Sequence, residues 1–399
     1  MICLFGFISG FTLVITGSTL NYWLAIDQID IRTIGVFAII SIPYAINFIW
    51  APILDTIYLG KLADIFGHRL SWLVVIHSLM IVLILLLSIV NPSHNLLVFG
   101  IIALFISFCS STQDSILGGF KTEIINRSDQ GRVSGFYVLG YRVGMLIASS
   151  GAIMLSNYIG FQKIYLLFAL IVSFFPILLF YSFKSSKTKY FDTAVNNLVF
   201  SKFFRQIIAH IGLYKHVAVI LIFLILYRLP DNFIGIMIQP FLLHLGYDSF
   251  DIAIVGKFFG IISAIIGSFI ASLAMKRLSI YRGLLIFGSL HAIAHILFLF
   301  QEAHGKTLWL LCIVIASEGI TGGMTMAVYI AFISSLCYGA FRATQYSFFS
   351  SMMGLSRSIF PSVSGYVVHN FGWYSFFLLM IVITIPALLL INYVRKILN

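Results

Sequence analysis

Twelve apolar runs of roughly 20 residues recur along this chain and leave little room for a water-soluble fold. Only 9% of the 399 residues are charged, against about 25% in soluble domains, so the apolar surface must face lipid. The runs predict an all-α polytopic membrane protein with about twelve transmembrane helices. The predicted spans cover residues 3–25, 34–54, 71–90, 96–120, 133–154, 163–183, 217–243, 252–274, 283–300, 307–336, 344–366 and 373–393.

The cysteines carry no signal of a metal site or a disulfide framework. All four, Cys3, Cys109, Cys312 and Cys337, lie in apolar runs without a ligand-type spacing. We interpret them as small core residues, and we expect neither a metal nor a cofactor. The first apolar run begins at once, so no cleavable signal peptide is expected.

One polar connection divides the spans six and six. Residues 1–183 are predicted to form an N-terminal six-helix bundle, and residues 217–399 a C-terminal one. Between them, residues 184–216 contain KSSKTK and an amphipathic pattern, which predicts a cytoplasmic linker with a helix on the membrane surface. Two six-helix pseudo-repeats are typical of the major-facilitator fold.

Lysine and arginine fix the predicted orientation. With both termini in the cytoplasm, the inner loops hold seventeen basic residues and the outer loops three, Arg32, Lys163 and Lys306. This bias follows the positive-inside rule of membrane proteins. It also accounts for the formal charge of +11 without any nucleic-acid partner. The inner residues are Lys61, Arg69, Lys121, Arg127, Arg132, Lys184, Lys187, Lys189, Lys202, Arg205, Lys215, Lys276, Arg277, Arg282, Arg342, Arg395 and Lys396.

The first inner loop, GKLADIFGHR, resembles the major-facilitator signature between spans two and three, and AMKRLSIYRG is a weaker echo in the second half. Gly60, Asp64, Gly67 and Arg69 are therefore candidates for a conformational latch. The glycines would permit a tight turn and close helix approach, and Asp64 would bind a helix N-terminus or a basic partner. The alternative is an ordinary polar turn.

Several longer motifs resemble the AmpG family of muropeptide permeases. They include SGFTLVITGSTLNYWL, STQD followed by GYRVGM, SIYRGLLIFG, EGITGGM and FRATQYSFFSSMMGLSR, and the similarity runs from about Ser9 to the last span. The resemblance implies import of anhydro-muropeptides, sugar–peptide fragments of peptidoglycan, driven by the proton gradient. It implies a monomeric carrier that binds a small molecule and protons.

Charged residues inside the spans mark the candidate site, because an unpaired charge in hydrocarbon costs about 3 kcal/mol or more. Asp114 and Arg142 lie at similar depths in neighbouring antiparallel spans and are predicted to pair, with Gln113 and Tyr141 beside them. They either line a cavity or only clamp two helices together. Tyr141 is also a candidate platform for stacking a sugar, as are Tyr22 and Trp23, with core packing as the alternative.

The second half offers similar candidates. Asp231 and Lys257 match in depth and are predicted to pair, whereas Glu318 and Arg357 match more loosely. Glu318 stands beside three glycines, which suggests a bent helix that lines a cavity. His291 and His295, spaced i, i+4, are expected to pack or to form interhelical hydrogen bonds, with a proton or metal role as the alternative.

Two departures from the AmpG pattern bear on energy coupling. The family usually carries a second acid four residues after the first, where this chain has Gly118, and a lysine where this chain has Asn47. If this acid and this lysine are partners in the family, a chain that lacks both of them leaves no buried charge without its partner.

No enzyme motif is present. The favoured function is proton-coupled import of anhydro-muropeptides by alternating access. One alternative is facilitated transport of another solute, such as a nucleotide-linked metabolite or an amino-acid derivative. Another is a divergent paralogue without flux that acts as a membrane sensor or assembly partner.

Overall fold

A computed structural model describes residues 2–50, 53–54, 57–124, 137, 140–183, 217–336 and 342–398, and within these ranges the regular structure is helical without a strand. Helices are expected in lipid, because each backbone N–H and C=O must find a partner within its own segment. The predicted linker, residues 184–216, lies outside the described residues, as does Cys337.

The α-helices of the first half are α1 (Ile2–Ile15), α2 (Ser18–Ile26), α3 (Ile31–Val36), α4 (Ile42–Ile46), α5 (Lys61–Phe66), α6 (His68–Ile89), α7 (Leu96–Ile124) and α8 (Ala152–Phe183). Those of the second half are α9 (Val217–His244), α10 (Ser249–Asp251), α11 (Gly260–Ala274), α12 (Ile280–His304), α13 (Leu308–Ser335), α14 (Arg342–Ser358) and α15 (Ser364–Leu398). Two π-helical segments, Ile147–Gly151 and Ile252–Phe259, lead into α8 and α11.

Nine helices in the described part of the chain are long and apolar enough to cross a membrane, and Ile31–Ile46 is a shorter apolar helix. The longest two, Gly140–Leu178 with 39 residues and Ser351–Leu398 with 48, exceed the roughly 20 residues that one crossing needs. Each contains a glycine with positive φ, 75° at Gly160 and 77° at Gly372. These breaks fall between predicted spans five and six and between spans eleven and twelve, the same place in each half. The total of twelve spans stays a prediction.

The second predicted span, residues 34–54, is not one continuous helix. It is divided into α3, a 3₁₀ helix at Phe37–Ser41, α4 and a second 3₁₀ helix at Asn47–Ile49. Pro43 lies inside this segment, and its missing N–H removes one intrahelical hydrogen bond. The prediction of an uninterrupted span was therefore wrong at this position.

By its contacts the chain divides into two compact units. The first unit comprises residues 1–23 and 46–202, and the second comprises residues 24–45 and 203–399. The segment with α3 and α4 thus packs with the second unit, where a Cβ added at Gly35 would collide with the backbone at Gly365. The predicted bundle boundaries at residues 183 and 216 adjoin residues outside the described ranges and stay a prediction.

Within the first unit, α1 packs backbone to backbone against Tyr137 and residues 140–144. Four glycines on this interface have no room for a Cβ: Gly6, Gly10, Gly140 and Gly144. A Cβ at Gly10, for example, would collide with the carbonyl oxygen of Tyr141. The glycines form two small-xxx-small pairs, the spacing by which membrane helices approach closely.

Within the second unit, α11 and α13 pack in the same way. A Cβ at Gly267 would collide with the carbonyl of Ile320, and one at Gly323 with that of Ala264. Helix α13 is continuous from Leu308 to Ser335, and two of its glycines lie in this close packing. The bend expected around Glu318 stays a prediction.

Substitution of Gly10 tests the close packing of α1. We expect Gly10→Ala to destabilise the protein by about 1–3 kcal/mol, because the added methyl group meets backbone that cannot rotate away. Gly235→Ala is the matched control, since Gly235 lies on α9 with open space around it and alanine favours a helix by about 1 kcal/mol. Thermal unfolding of both variants in detergent would measure the difference, and equal melting temperatures would contradict the packing described.

Candidate functional site

A buried group of polar side chains joins α1 to α7 in the first unit. This N-terminal polar cluster consists of Ser9, Thr12, Ser110, Gln113 and Asp114. The hydroxyl of Ser9 donates to Asp114 Oδ1 at 2.6 Å, and that of Ser110 donates to Thr12 Oγ1 at 2.7 Å. Gln113 Nε2 also donates to Thr12 Oγ1, at 3.2 Å. Hydroxyl, amide and carboxylate groups thus meet on one helix pair.

Asp114 is held in this cluster by a partner that the sequence did not indicate. Besides Ser9, it lies close enough to Tyr137 for an electrostatic interaction, and Tyr137 also hydrogen-bonds to Ser9. No ion pair joins Asp114 to Arg142, although the structure describes both residues. The predicted pairing was wrong because α1 lies against α7 and supplies the hydroxyl of Ser9 to the carboxylate.

Tyr141 and Arg142 are both half-buried on the helical residues that precede Ile147–Gly151. The backbone of Tyr141 lies directly against Gly10. Their predicted roles in the substrate or proton pathway stay predictions.

The aromatic pair of α2 is committed to the core. Tyr22 and Trp23 are buried, and the indole of Trp23 stacks on Phe161 with ring centroids 5.5 Å apart. Trp23 also contacts Tyr165 and Phe99. Packing, the alternative to a sugar platform, therefore describes these two residues.

The second unit contains a buried group of charges, the C-terminal charge cluster, which consists of Arg228, Asp231, Lys257, His291 and Glu318. Its centre is Asp231 on α9, whose Oδ2 pairs with Nη1 of Arg228 one turn earlier on the same helix. The Oδ1 of Asp231 contacts Nε2 of His291 on α12. The side chain of Asp231 is 11% exposed and that of Arg228 is 13% exposed, so this ion pair is largely withdrawn from solvent.

Lys257 is therefore not the partner of Asp231, and that predicted pair was wrong. The ammonium of Lys257 instead interacts electrostatically with Glu318 on α13. Sequence depth gives only one coordinate of a side chain, whereas the partner depends on which faces of the helices meet. Among the residues that the structure describes, Arg228 and His291 are the groups in direct contact with the carboxylate of Asp231.

Glu318 interacts with the same cluster. Its electrostatic partners include His291, Asp231, Arg228 and Lys257. Arg357, the looser candidate, lies half-buried on α14 and is not among these partners. Gly322 lies beside both Glu318 and His291. A Cβ added at Gly322 would lie within 4 Å of Glu318 Oε1 and of His291 Cε1.

The expectation of interhelical hydrogen bonds from His291 is confirmed. Besides Asp231, it contacts Thr321 Oγ1 on α13 through Nδ1 at 2.7 Å. His295, one turn later, is fully buried against the ring of His291, and neither of its ring nitrogens has a hydrogen-bond partner among the described residues.

The side chains of Asp231, His291 and His295 bring their ligand-type atoms within 4.8 Å of one another. We interpret Asp231 and His291 as a hydrogen-bonded pair with the ring of His295 packed against His291, and not as a metal centre. The guanidinium of Arg228 already binds the carboxylate of Asp231 and would repel a divalent cation at this place.

Arg228 and Ser9 are candidate site residues that sequence reasoning missed. The i, i+3 spacing of Arg228 and Asp231 could have indicated their pairing on one helix face. No comparable signal marks Ser9, because a serine inside an apolar run often bonds only to its own backbone.

The predicted latch loop begins and ends with glycines in the left-handed region, φ 55° at Gly60 and 85° at Gly67. A Cβ at either would meet open space, so the glycines serve the tight turns and not close helix approach. Asp64, exposed on α5, accepts a hydrogen bond of 2.5 Å from the hydroxyl of Tyr58, which raises the pKa of that phenol. Arg69 is half-buried at the start of α6. The latch role of these residues stays a prediction.

Comparison with known proteins agrees with this architecture. Residues 2–302 and 220–396 match the Major Facilitator Superfamily. A Rickettsia bellii protein named as transporter AmpG 1 is 53% identical over 99% of this chain and 98% of its own length. The anhydromuropeptide permease of Escherichia coli is 28% identical over 99% of this chain and 79% of its own length.

Solved structures agree on the fold. A D-xylose–proton symporter superposes with a TM-score of 0.70 at 13% identity, over 98% of this chain and 95% of that one. The relatives that match are transporters, and this chain is likewise a transporter and not an enzyme. From its fold, its motifs and its full-length relatives, the chain belongs to the AmpG family of the major facilitator superfamily.

Proposed function

We propose that this protein imports anhydro-muropeptides across the bacterial inner membrane, by alternating access and in symport with protons. The single observation that carries the substrate assignment is the similarity, over 99% of this chain, to a protein named anhydromuropeptide permease. Under this proposal the protein acts as a monomer, needs no cofactor beyond the proton gradient, and has both termini in the cytoplasm.

The chemistry of the two clusters suits a sugar–peptide substrate. Hydroxyl and amide groups of the N-terminal polar cluster can exchange hydrogen bonds with sugar hydroxyls, and its Asp114 can accept them. The guanidinium of Arg228 and the ammonium of Lys257 can bind carboxylates of a peptide or lactyl group through charge-assisted hydrogen bonds. Each cluster lies within one unit.

The departures at Asn47 and Gly118 favour a second candidate, transport without proton coupling. Asn47 begins the 3₁₀ helix Asn47–Ile49, and Gly118 lies on α7, four residues after Asp114. Neither position carries a charge, so an acid that the AmpG pattern usually offers to protons is missing. Coupling then depends on the remaining acids, namely Asp114, Asp231 and Glu318.

Uptake by proteoliposomes tests the substrate and the coupling separately. We expect the purified protein to exchange labelled anhydro-muropeptide in counterflow and to accumulate it when an inward proton gradient is imposed. Counterflow without accumulation, unaffected by a protonophore, would identify an uncoupled facilitator. Vesicles that neither exchange nor accumulate the labelled fragment would contradict the proposed substrate, and xylose and a nucleoside are the comparison solutes.

Asp114 tests the role of the N-terminal polar cluster. Asp114→Asn keeps the shape of the side chain but removes its charge, and Ser9→Ala removes the hydrogen bond donated to it. Because a hydrogen bond to a charged group contributes about 1.5–3 kcal/mol, we expect each variant to lower counterflow on the order of tenfold or more. Asp251→Asn, which changes an acid outside both clusters, is the matched control.

Protein levels and melting temperatures of the three variants must be measured beside counterflow. Loss of counterflow in proportion to loss of folded protein would show that Asp114 only supports the fold. Wild-type rates in folded Asp114→Asn would remove it from the transport pathway.

A further inference from the structure

Both ring nitrogens of His291 face groups that accept hydrogen bonds. Nδ1 lies 2.7 Å from Thr321 Oγ1, and Nε2 contacts Asp231 Oδ1. A neutral imidazole has one N–H and can donate only one of these two bonds. The protonation state of His291 therefore depends on whether either partner can donate in return.

Thr321 cannot readily donate to the ring. Its hydroxyl is already directed to the carbonyl of Ser317, at 2.6 Å on the same helix, so its oxygen serves His291 as an acceptor. Asp231 cannot readily donate either, because the guanidinium of Arg228 on its other oxygen favours the ionised carboxylate. With an acceptor on each side, His291 can donate both hydrogen bonds only when both ring nitrogens carry a proton, whereas the neutral ring donates one of them.

Charged groups approach this ring from two packed helices. Asp231, which pairs with Arg228, lies on α9, and Glu318 lies on α13. Lys257, on the π-helical segment Ile252–Phe259, interacts with Glu318. His295 lies beside it on α12 itself, and Tyr227 on α9 also faces Asp231, although its hydroxyl is donated to the carbonyl of Leu284. Helix α15 also packs on α12, and its only acid or base from Ser364 to Val394, tyrosines aside, is the exposed His369.

The C-terminal charge cluster can gain or lose one proton without leaving any of its charged side chains unpaired. With His291 protonated and Arg228 and Lys257 positive, the carboxylates of Asp231 and Glu318 leave one surplus positive charge. With His291 neutral, the cluster is balanced. A surplus charge in apolar surroundings is costly, so the protonated state is favoured when an anion joins it. A carboxylate of the substrate supplies such an anion.

We propose that His291 is the proton-binding residue of this transporter, taking up a proton together with a substrate carboxylate and releasing it to water when that carboxylate leaves. The inference rests on the proposed import of anhydro-muropeptides for its substrate, but the proton site itself is defined by the side chains alone. The proposal places proton coupling in the second unit, whereas Gly118, which stands where the family usually has an acid, lies in the first unit.

Release of the proton also changes the packing of three helices. A neutral His291 keeps either its bond to Asp231 on α9 or its bond to Thr321 on α13, and the other partner loses its donor. Protonation thus ties α12 to both neighbours, and deprotonation loosens one of the two contacts. This is a local change through which proton binding can bias one conformation over another.

The proton site is tested first without substrate. Nitrogen-15 NMR of histidine-labelled full-length protein in lipid nanodiscs should show a ring that is doubly protonated at low pH and neutral at high pH, between about pH 5 and 9. The signal is assigned by its loss in His291→Gln. Asp231→Asn should favour the neutral ring and move its transition to lower pH. A His291 ring that remains neutral, or remains protonated, throughout this range would overturn the proposal.

Transport then tests the coupling. With an imposed gradient of about one pH unit, a carrier coupled to one proton accumulates substrate about tenfold. His291→Gln should bring the internal concentration of anhydro-muropeptide only to the external one, while counterflow persists. His304→Gln, a histidine change at the exposed end of the same helix, is the matched control and should accumulate like the wild type.

Accumulation by folded His291→Gln at the wild-type level would overturn the proposal. If the wild-type protein transports no anhydro-muropeptide, the proposed function fails, and the NMR titration still decides whether His291 binds the proton. The two failures are therefore distinguishable.

Discussion

The ion pair between Arg228 and Asp231 places the strongest constraint on the second unit, because both charges lie inside a bundle that faces lipid. A charge at that depth must be compensated, and removing one partner of a buried pair commonly costs about 3–5 kcal/mol. The pair in turn orients His291, and His291 contacts Thr321 on a third helix. Helices α9, α12 and α13 are thereby joined by polar contacts that fix their relative rotation.

Such contacts form only where backbones approach closely. Lipid tails are as apolar as the side chains of the spans, so association of the helices depends on packing and hydrogen bonds more than on burial. Glycines supply the packing in both units, with Gly10 and Gly144 between α1 and residues 140–144, and Gly267 and Gly323 between α11 and α13. In the first unit, α1 also packs on α7, where the hydroxyl of Ser9 reaches Asp114.

Length and hydropathy predicted the helical architecture well, because a span has to be apolar and about 20 residues long whatever its neighbours are. The same pattern predicted one helix where Pro43 divides the chain, since hydropathy does not register a missing N–H donor. The charged residues inside spans were recognised from the sequence, but the partners predicted for Asp114 and Asp231 were wrong. Depth along the bilayer can be counted from the sequence, whereas helix rotation and neighbour identity come from packing that glycine pairs and single hydroxyls determine. Arg228 was not predicted as part of the site, although its i, i+3 spacing from Asp231 held the missing information.

A double-mutant cycle on Arg228 and Asp231 measures the compensation of buried charge most directly. Thermal stability would be compared for Arg228→Met, Asp231→Asn and the double variant, with the exposed pair Arg32 and Asp30 as a reference cycle that should show little coupling. If the pair is the constraint described, each single variant leaves an uncompensated charge, and the double variant loses less stability than the two singles together, by on the order of 1–3 kcal/mol. Single effects that simply add in the double variant would show that Arg228 and Asp231 do not depend on each other, and would contradict the central role of this ion pair.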